Sequence, residues 1–343
     1  TEGAPHCRRC RLSDETLNRG PRLPLSEKVR VRLIQGDVCD PSELLEAARG
    51  VNLIIHTAAL IDIWGRNPSS KIWAVNYQGT WNVIEACKEL GIQYLIHTSS
   101  MEVVGPNLKG DHFIRGNEET VYNVQHEGPY AQSKAEAETL VLKANSMKVA
   151  GGKTLVTCVL RPTGVYGENN VFLEDQYRLL VKIGRQKLRI AGKEVEHGRV
   201  YVGNVAWMHL LAARSLQRRP DLLGGEAYFC YDDSPYLSYE DFDMLFLAPC
   251  RVRLVGRQPL VPWFALYLLA WLAEFLQWLL RPFTTLDLNF NRYALAVVTT
   301  SFTVRTDKAS RHFGYRPLFP WAESRARTAR WLEALDAEDV KSQ

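Results

Sequence analysis

Tyr130 and Lys134 stand four residues apart in PYAQSKAEAETL. The run has helical periodicity, so the two side chains fall on one face. An ammonium beside a phenol favours the phenolate and lowers a hydroxyl that ordinarily ionises near pH ~10. Such a group can take the proton of a substrate alcohol as hydride leaves to a nicotinamide. Alone, Y-x-x-x-K is weak, because many exposed helices contain it by chance. Ser99 and Ser100 add weight. They follow the apolar run Gln93–Thr98 (QYLIHT), and a hydroxyl at the C-terminal end of a parallel strand lies at the crevice where open α/β sheets bind ligands. It can then hydrogen-bond the same substrate oxygen. The plain alternative for both serines is a cap or turn.

The surrounding chain supplies elements that could hold these groups. Val29–Ile34 (VRVRLI) alternates apolar and basic residues as a half-buried strand does, and Asp40-Pro41-Ser42 opens a helix through Ala48. Val51–His56 (VNLIIH) and Leu155–Leu160 (LVTCVL) are short apolar runs suited to strands covered on both faces. Trp73–Leu90 and Tyr130–Asn145 have helical patterns. Strands thus alternate with helices from residue 29 to about 165, the signature of βαβ units in a doubly wound parallel sheet. We expect an atypical or truncated segment over 1–28, a partial Rossmann-like domain over 29–165, and a smaller substrate-binding region over 166–343. In that last region His197–Val202 suggests a strand, Val205–Leu216 a helix, and 224–250 a mixture of short strands and turns.

Val261–Leu280 is nearly unbroken in its apolar character, with Glu274 and Gln277 as its polar residues. Twenty residues are enough to span a bilayer, but three tryptophans and a glutamate suit a helix lying in the interface as well, and a buried core helix is the third reading. The net charge of +4 is spread along the chain and gives no nucleic-acid footprint. The seven cysteines are scattered, which fits reduced thiols facing the cytosol. Cys7 and Cys10 form a lone C-x-x-C without a second pair at metal-binding spacing, and no metal site is expected. The first residues, Thr1–Arg11, are polar and basic with no apolar core, and a signal peptide is not expected there.

The order of HTAA (56–59), NYQGT (76–80), TSS (98–100), YAQSK (130–134) and RPT (161–163) resembles that of extended short-chain dehydrogenases. TSSMEVVGPN (98–107), EHGRVYVGNVAWMH (196–209), FCYDDSP (229–235) and the Trp-rich apolar stretch ending LRP (280–282) are similar to the 3β-hydroxysteroid dehydrogenase/Δ5-isomerase family. RGNE (115–118) and HFGY (312–315) look most like the branch acting on 7α-hydroxylated 27-carbon sterols in bile-acid synthesis. The resemblance implies NAD-dependent oxidation of a 3β-hydroxy-Δ5 steroid to the 3-oxo-Δ4 product. It implies Tyr130 as general base, Lys134 as the group that tunes it and holds the cofactor ribose, and Ser100 as the substrate-orienting hydroxyl, with Ser99 as runner-up. Asp14 would bind the adenosine ribose, the plain alternative being that it lies in an unstructured basic leader; Asp37 and Val38 would hold the adenine, Ala58 and Ala59 would wall the cofactor, and Arg161, Pro162 and Thr163 would form a loop beside the nicotinamide. Asn76 would support the site. The isomerase acid and base are not placed. A sterol substrate, attachment to the endoplasmic reticulum membrane with the catalytic part facing the cytosol, and a homodimer complete the implied picture.

The family's opening strand and G-x-x-G-x-x-G turn, which hold the cofactor pyrophosphate, are not found in the sequence. Truncation of a working enzyme is the favoured explanation. The alternatives are a remnant without dehydrogenase activity, or another extended short-chain enzyme such as a nucleotide-sugar epimerase.

Overall fold

A computed structural model describes residues 31–280 and 290–341. Asp40 accepts hydrogen bonds from the backbone N–H of Ser42 (2.9 Å) and Glu43 (3.3 Å), and so caps helix α1, Pro41–Ala48, with proline at its start. Strand β1, Leu53–His56, follows. A short helix, Ser69–Trp73, passes through a π turn at Ala74–Gln78 into α2, Gly79–Leu90. This is the helix expected over 73–90, begun a turn earlier. It stops at Gly91, whose φ of 71° is the left-handed conformation that glycine adopts without a Cβ penalty. Then come β2 (Tyr94–Thr98), α3 (Pro129–Ala144), β3 (Val156–Pro162), α4 (Val202–Arg218) and β4 (Glu226–Cys230).

The four strands form one parallel sheet in the order β1-β2-β3-β4. Because β4 comes from residues 226–230, the sheet draws on chain from both sides of residue 165. Alternation sends neighbouring residues to opposite faces. Leu95 and Val159 pack beneath α1, α2 and α3, whereas Ile96, Cys158 and Leu160 pack against α4 and the helix Lys308–Phe313. This is the doubly wound α/β architecture expected from the sequence. A separate apolar cluster joins Tyr166, Tyr177, Phe242, Phe246 and Leu332 in the second half of the chain.

The strand expected at Val29–Ile34 is not formed over its described part. Residues 31–36 have no regular structure and are exposed. Among the described residues no strand pairs with this segment, and alternation by itself does not make a strand.

Helix α5, Trp263–Leu280, and helix α6, Arg292–Thr299, pack on each other. Only Ala270 of α5 is fully buried, while Phe264, Leu268, Trp271, Phe275 and Trp278 are exposed. That excludes the buried core helix among the three readings of this segment. The helix is long and apolar enough to cross a membrane by length and composition.

Asn76, in the π turn, ties α2 to α3. Its Oδ1 accepts from the Leu60 N–H (2.7 Å), and its Nδ2 donates to the Leu60 carbonyl (3.1 Å) and to Ser133 Oγ (3.0 Å). The Ser133 hydroxyl in turn donates to the Tyr130 carbonyl at 2.9 Å. Asn76→Leu fills similar volume but leaves these buried groups unpaired. It is expected to lower stability by about 2–4 kcal/mol, read from chemical denaturation.

Candidate active site at the strand ends

The C-terminal ends of β1, β2 and β3 lie side by side because all three run parallel in register. His56 leads into Ala58 and Ala59, the first half-buried and the second exposed. Thr98 leads into Ser99 and Ser100. On β2, alternation turns His97 toward α3 and Thr98 toward α4, where Thr98 Oγ1 meets His209 Nε2 at 2.7 Å.

Pro129 opens α3 and places Tyr130 and Lys134 one turn apart on its buried face, 5% and 1% exposed respectively. Tyr130 lies within hydrogen-bonding reach of the Ser100 hydroxyl. That hydroxyl also accepts from the Glu102 N–H at 3.2 Å and caps the 3-10 turn Met101–Val103. Ser100 therefore fills the capping role and also stands beside Tyr130. Ser99 Oγ is buried with no hydrogen-bond partner.

Lys134 Nζ donates to the Thr98 carbonyl (2.7 Å) and lies 3.5 Å from His97 Nε2. Burial lowers the ammonium to about 8, opposed by the nearby Glu138 carboxylate. The same burial, with Lys134 alongside, pushes His56 down to about 3 and His97 well below the usual imidazole range. Both rings are thus neutral, and they face each other at 5.2 Å. Tyr130 differs from the expectation. Burial raises its phenol and the Glu102 carboxylate raises it further, with the Ser100 hydroxyl opposing. The Lys134 ammonium is itself bonded to the strand carbonyl.

Arg161 and Pro162 belong to β3 rather than to a loop, and only Thr163 lies past its end, with Oγ1 donating to the Cys230 carbonyl at 3.4 Å. The Arg161 guanidinium bonds Glu138 of α3 through Nε at 3.1 and 3.2 Å and through Nη2 as well, so this arginine braces the helix carrying Tyr130 and Lys134. Asp37 and Val38 form a half-buried turn. Asp37 Oδ1 accepts from the Cys39 N–H at 2.9 Å, and the Val38 carbonyl accepts from Asn82 Nδ2 at 2.9 Å. Val38 also sits so close to α2 that a Cβ on Gly79 would approach its Cγ2 to 2.8 Å. Asp14 lies outside the described residues.

Glu102 is a member of the site that sequence reasoning did not single out. It is 9% exposed, and burial raises its carboxyl to about 7, with the Tyr293 hydroxyl, donating to Oε2 at 2.6 Å, opposing the rise. Tyr293 is the second residue of α6 and is 191 residues distant in the chain. Tyr239 stands beyond it, under the Arg199 guanidinium at 3.9 Å and against His197 with ring centres 4.2 Å apart. The site thus joins a phenol, a buried ammonium and a carboxyl poised near neutrality. That set can move protons to and from a substrate oxygen and an adjacent carbon.

The pattern of the 3-beta hydroxysteroid dehydrogenase/isomerase family matches residues 8–260. The chain is 56% identical over 320 residues to human 3 beta-hydroxysteroid dehydrogenase type 7, covering 93% of this chain and 85% of that protein. It is 52% identical over 335 residues to the mouse protein of the same name, covering 98% and 91%. In fold it is similar to the Streptomyces venezuelae dTDP-glucose 4,6-dehydratase DesIV, solved with NAD and TYD bound, with a TM-score of 0.61 and 19% identity over 92% of this chain and 83% of that one. With identity at this level over nearly its whole length, the chain belongs to the 3-beta hydroxysteroid dehydrogenase/isomerase family.

Proposed function

We propose that this chain oxidises the 3β-hydroxyl of a Δ5 steroid with NAD as hydride acceptor and then moves the double bond into conjugation. The observation that carries the reading is the convergence of Tyr130, Ser100, Lys134 and Glu102 on one strand end, in a chain of this family. The substrate we favour is a 7α-hydroxylated 27-carbon sterol, as the resemblance in RGNE and HFGY suggests, consumed in bile-acid synthesis.

The residues on the cofactor side fit a nicotinamide. Lys134 has three donors, and the Thr98 carbonyl and His97 engage two. Ser99 Oγ is buried and unpartnered, and the residues past the end of β1, Ala58 and Ala59, have small side chains. Lys134 would hold the ribose there, and Asp37 and Val38 the adenine. NAD, when bound, supplies the hydride acceptor.

The chain's own residues do the proton work. Ser100 and Tyr130 orient the 3β-oxygen, and Tyr130 takes its proton. After oxidation, the Glu102 carboxylate takes a proton from C4 and returns it to C6, while the Tyr130 O–H donates to the oxygen at C3. A carboxyl near 7 suits that task, because it is both a usable base and a usable acid at neutral pH. The apolar outer face of α5 is proposed to dock on the endoplasmic reticulum membrane, where a sterol dissolves, with the catalytic body on the cytosolic side. Glu274 and Gln277, which counted against burial in lipid, lie on the half-buried side of the helix.

The direct test follows NADH formation and the conjugated-ketone absorbance with a 3β,7α-dihydroxy-Δ5 sterol. Tyr130→Phe is expected to lower kcat by about 10²–10⁴-fold with NAD affinity nearly unchanged; unchanged turnover would reject the general-base assignment. Glu102→Gln should leave hydride transfer measurable and let the 3-oxo-Δ5 intermediate accumulate. The same substitution has a signature in stability. A carboxyl raised to about 7 in the folded state is charged above its ordinary value of 4.5 when unfolded. The unfolded state thus binds fewer protons between those limits, and stability falls as pH rises through that window. Unfolding curves of the Glu102→Gln protein should lose this part of the decline. For the membrane, replacing Leu268, Leu272, Phe275 and Leu279 together by serine should release the protein from sedimenting phospholipid vesicles. Continued sedimentation would place the attachment elsewhere.

A further inference from the structure

Glu274 is the one charge on α5, and it is turned toward the protein rather than toward the exposed face. Its Oε1 accepts from the Arg292 backbone N–H at 2.7 Å, and its Oε2 accepts from Arg292 Nε at 2.8 Å. Both bonds fall on the first residue of α6, where free backbone N–H groups and the helix dipole favour an anion. Asn291 secures the same turn, with Oδ1 accepting from the Ala294 N–H (2.7 Å) and Nδ2 donating to the Ile63 carbonyl (3.0 Å). The residue after Arg292 is Tyr293, whose hydroxyl holds Glu102. Glu102 in turn bonds Ser100 through its backbone N–H. Two side-chain carboxylates, one on the apolar helix and one in the site, therefore grip neighbouring residues of one helical turn.

We infer that Glu274 is a positioning residue for the reaction: by clamping the first turn of α6 it fixes Tyr293 against Glu102, so that the apolar helix sets the geometry of the catalytic carboxyl. This rests on the role proposed above for Glu102. The ionisable groups facing Glu102 are Tyr130 from α3, Tyr239 from the helix Tyr239–Leu247 and Tyr293 from α6, with Arg199 beyond Tyr239. The Tyr293 hydrogen bond is the contact that favours the charged carboxylate. A displaced Tyr293 leaves that carboxylate poorer in hydrogen bonds and raises its titration midpoint.

The test uses the whole chain in phosphatidylcholine vesicles and compares wild type, Glu274→Ala, Glu274→Gln, Arg292→Gln and Tyr293→Phe. The primary readout is independent of turnover: the titration midpoint of the Glu102 carboxyl carbon by NMR, assigned with Glu102→Gln. Tyr293→Phe and Glu274→Ala should both raise the midpoint, by about half a unit or more. Glu274→Gln retains an acceptor for the Arg292 N–H and should shift it less, as should Arg292→Gln, which keeps the backbone bond. Turnover should follow, with kcat falling several-fold in Glu274→Ala and KM changing little. A midpoint that moves in Tyr293→Phe but stays at the wild-type value in folded Glu274→Ala overturns the inference. If Glu274→Ala does not fold, an unmoved midpoint in both Glu274→Gln and Arg292→Gln overturns it equally. A midpoint that stays put even in Tyr293→Phe removes the Tyr293–Glu102 contact itself, and the proposed role of Glu102 is then judged separately by whether Glu102→Gln accumulates the 3-oxo-Δ5 steroid.

Discussion

A lysine ammonium held inside the protein by a strand carbonyl is the constraint around which the site is arranged. Taking a charged amine out of water is unfavourable unless it is bonded. The Thr98 carbonyl provides that bond because β2 ends there and its last carbonyl is available to a side chain. The bond ties α3 to the tip of the central strand. It also fixes what the neighbours can be. His97 and His56 face the ammonium and are held neutral, and Glu138, one turn beyond Lys134, supplies the compensating negative charge while Arg161 holds that carboxylate in place. Removing any one of these groups changes the electrostatics felt by the others, so the site behaves as a connected set.

Tyr130 occupies the opposite situation. It is buried near the Glu102 carboxyl, and its phenol keeps its proton strongly. In the proposed reaction it must give that proton up and take one back within a single cycle. The resting geometry favours the form that donates to a carbonyl oxygen.

Much of the central sheet was legible in the sequence because parallel strands covered on both faces are written as continuous apolar runs, and VNLIIH, QYLIHT and LVTCVL are such runs. The position of Tyr130, Lys134 and Ser100 was legible for the same reason, since a strand end and a helix face fix them. VRVRLI read as a strand and was not one in its described part, because alternation specifies a strand only where a neighbour receives its hydrogen bonds. Glu102 was hidden by its place in a three-residue 3-10 turn, too short for any periodic signal, and its partner Tyr293 is far away in the chain. The lowering of Tyr130 by Lys134 was inferred from spacing along a helix. Spacing puts two side chains on one face but does not say which of several acceptors the longer one reaches, and here it reaches the strand.

The outer side of α5 carries a run of rings as well as aliphatic groups. Trp271 stacks on Phe275 at 5.6 Å, and Phe275 lies 5.9 Å from Trp278. These form a ladder of rings parallel to the helix axis, with the two indoles about 10 Å apart along it. A helix glued along one side to a globular body cannot tilt independently of that body. If the body rests with this side down, every rung of the ladder meets the headgroup region at the same level, and the indoles grip the surface together, as a keel does rather than a pin.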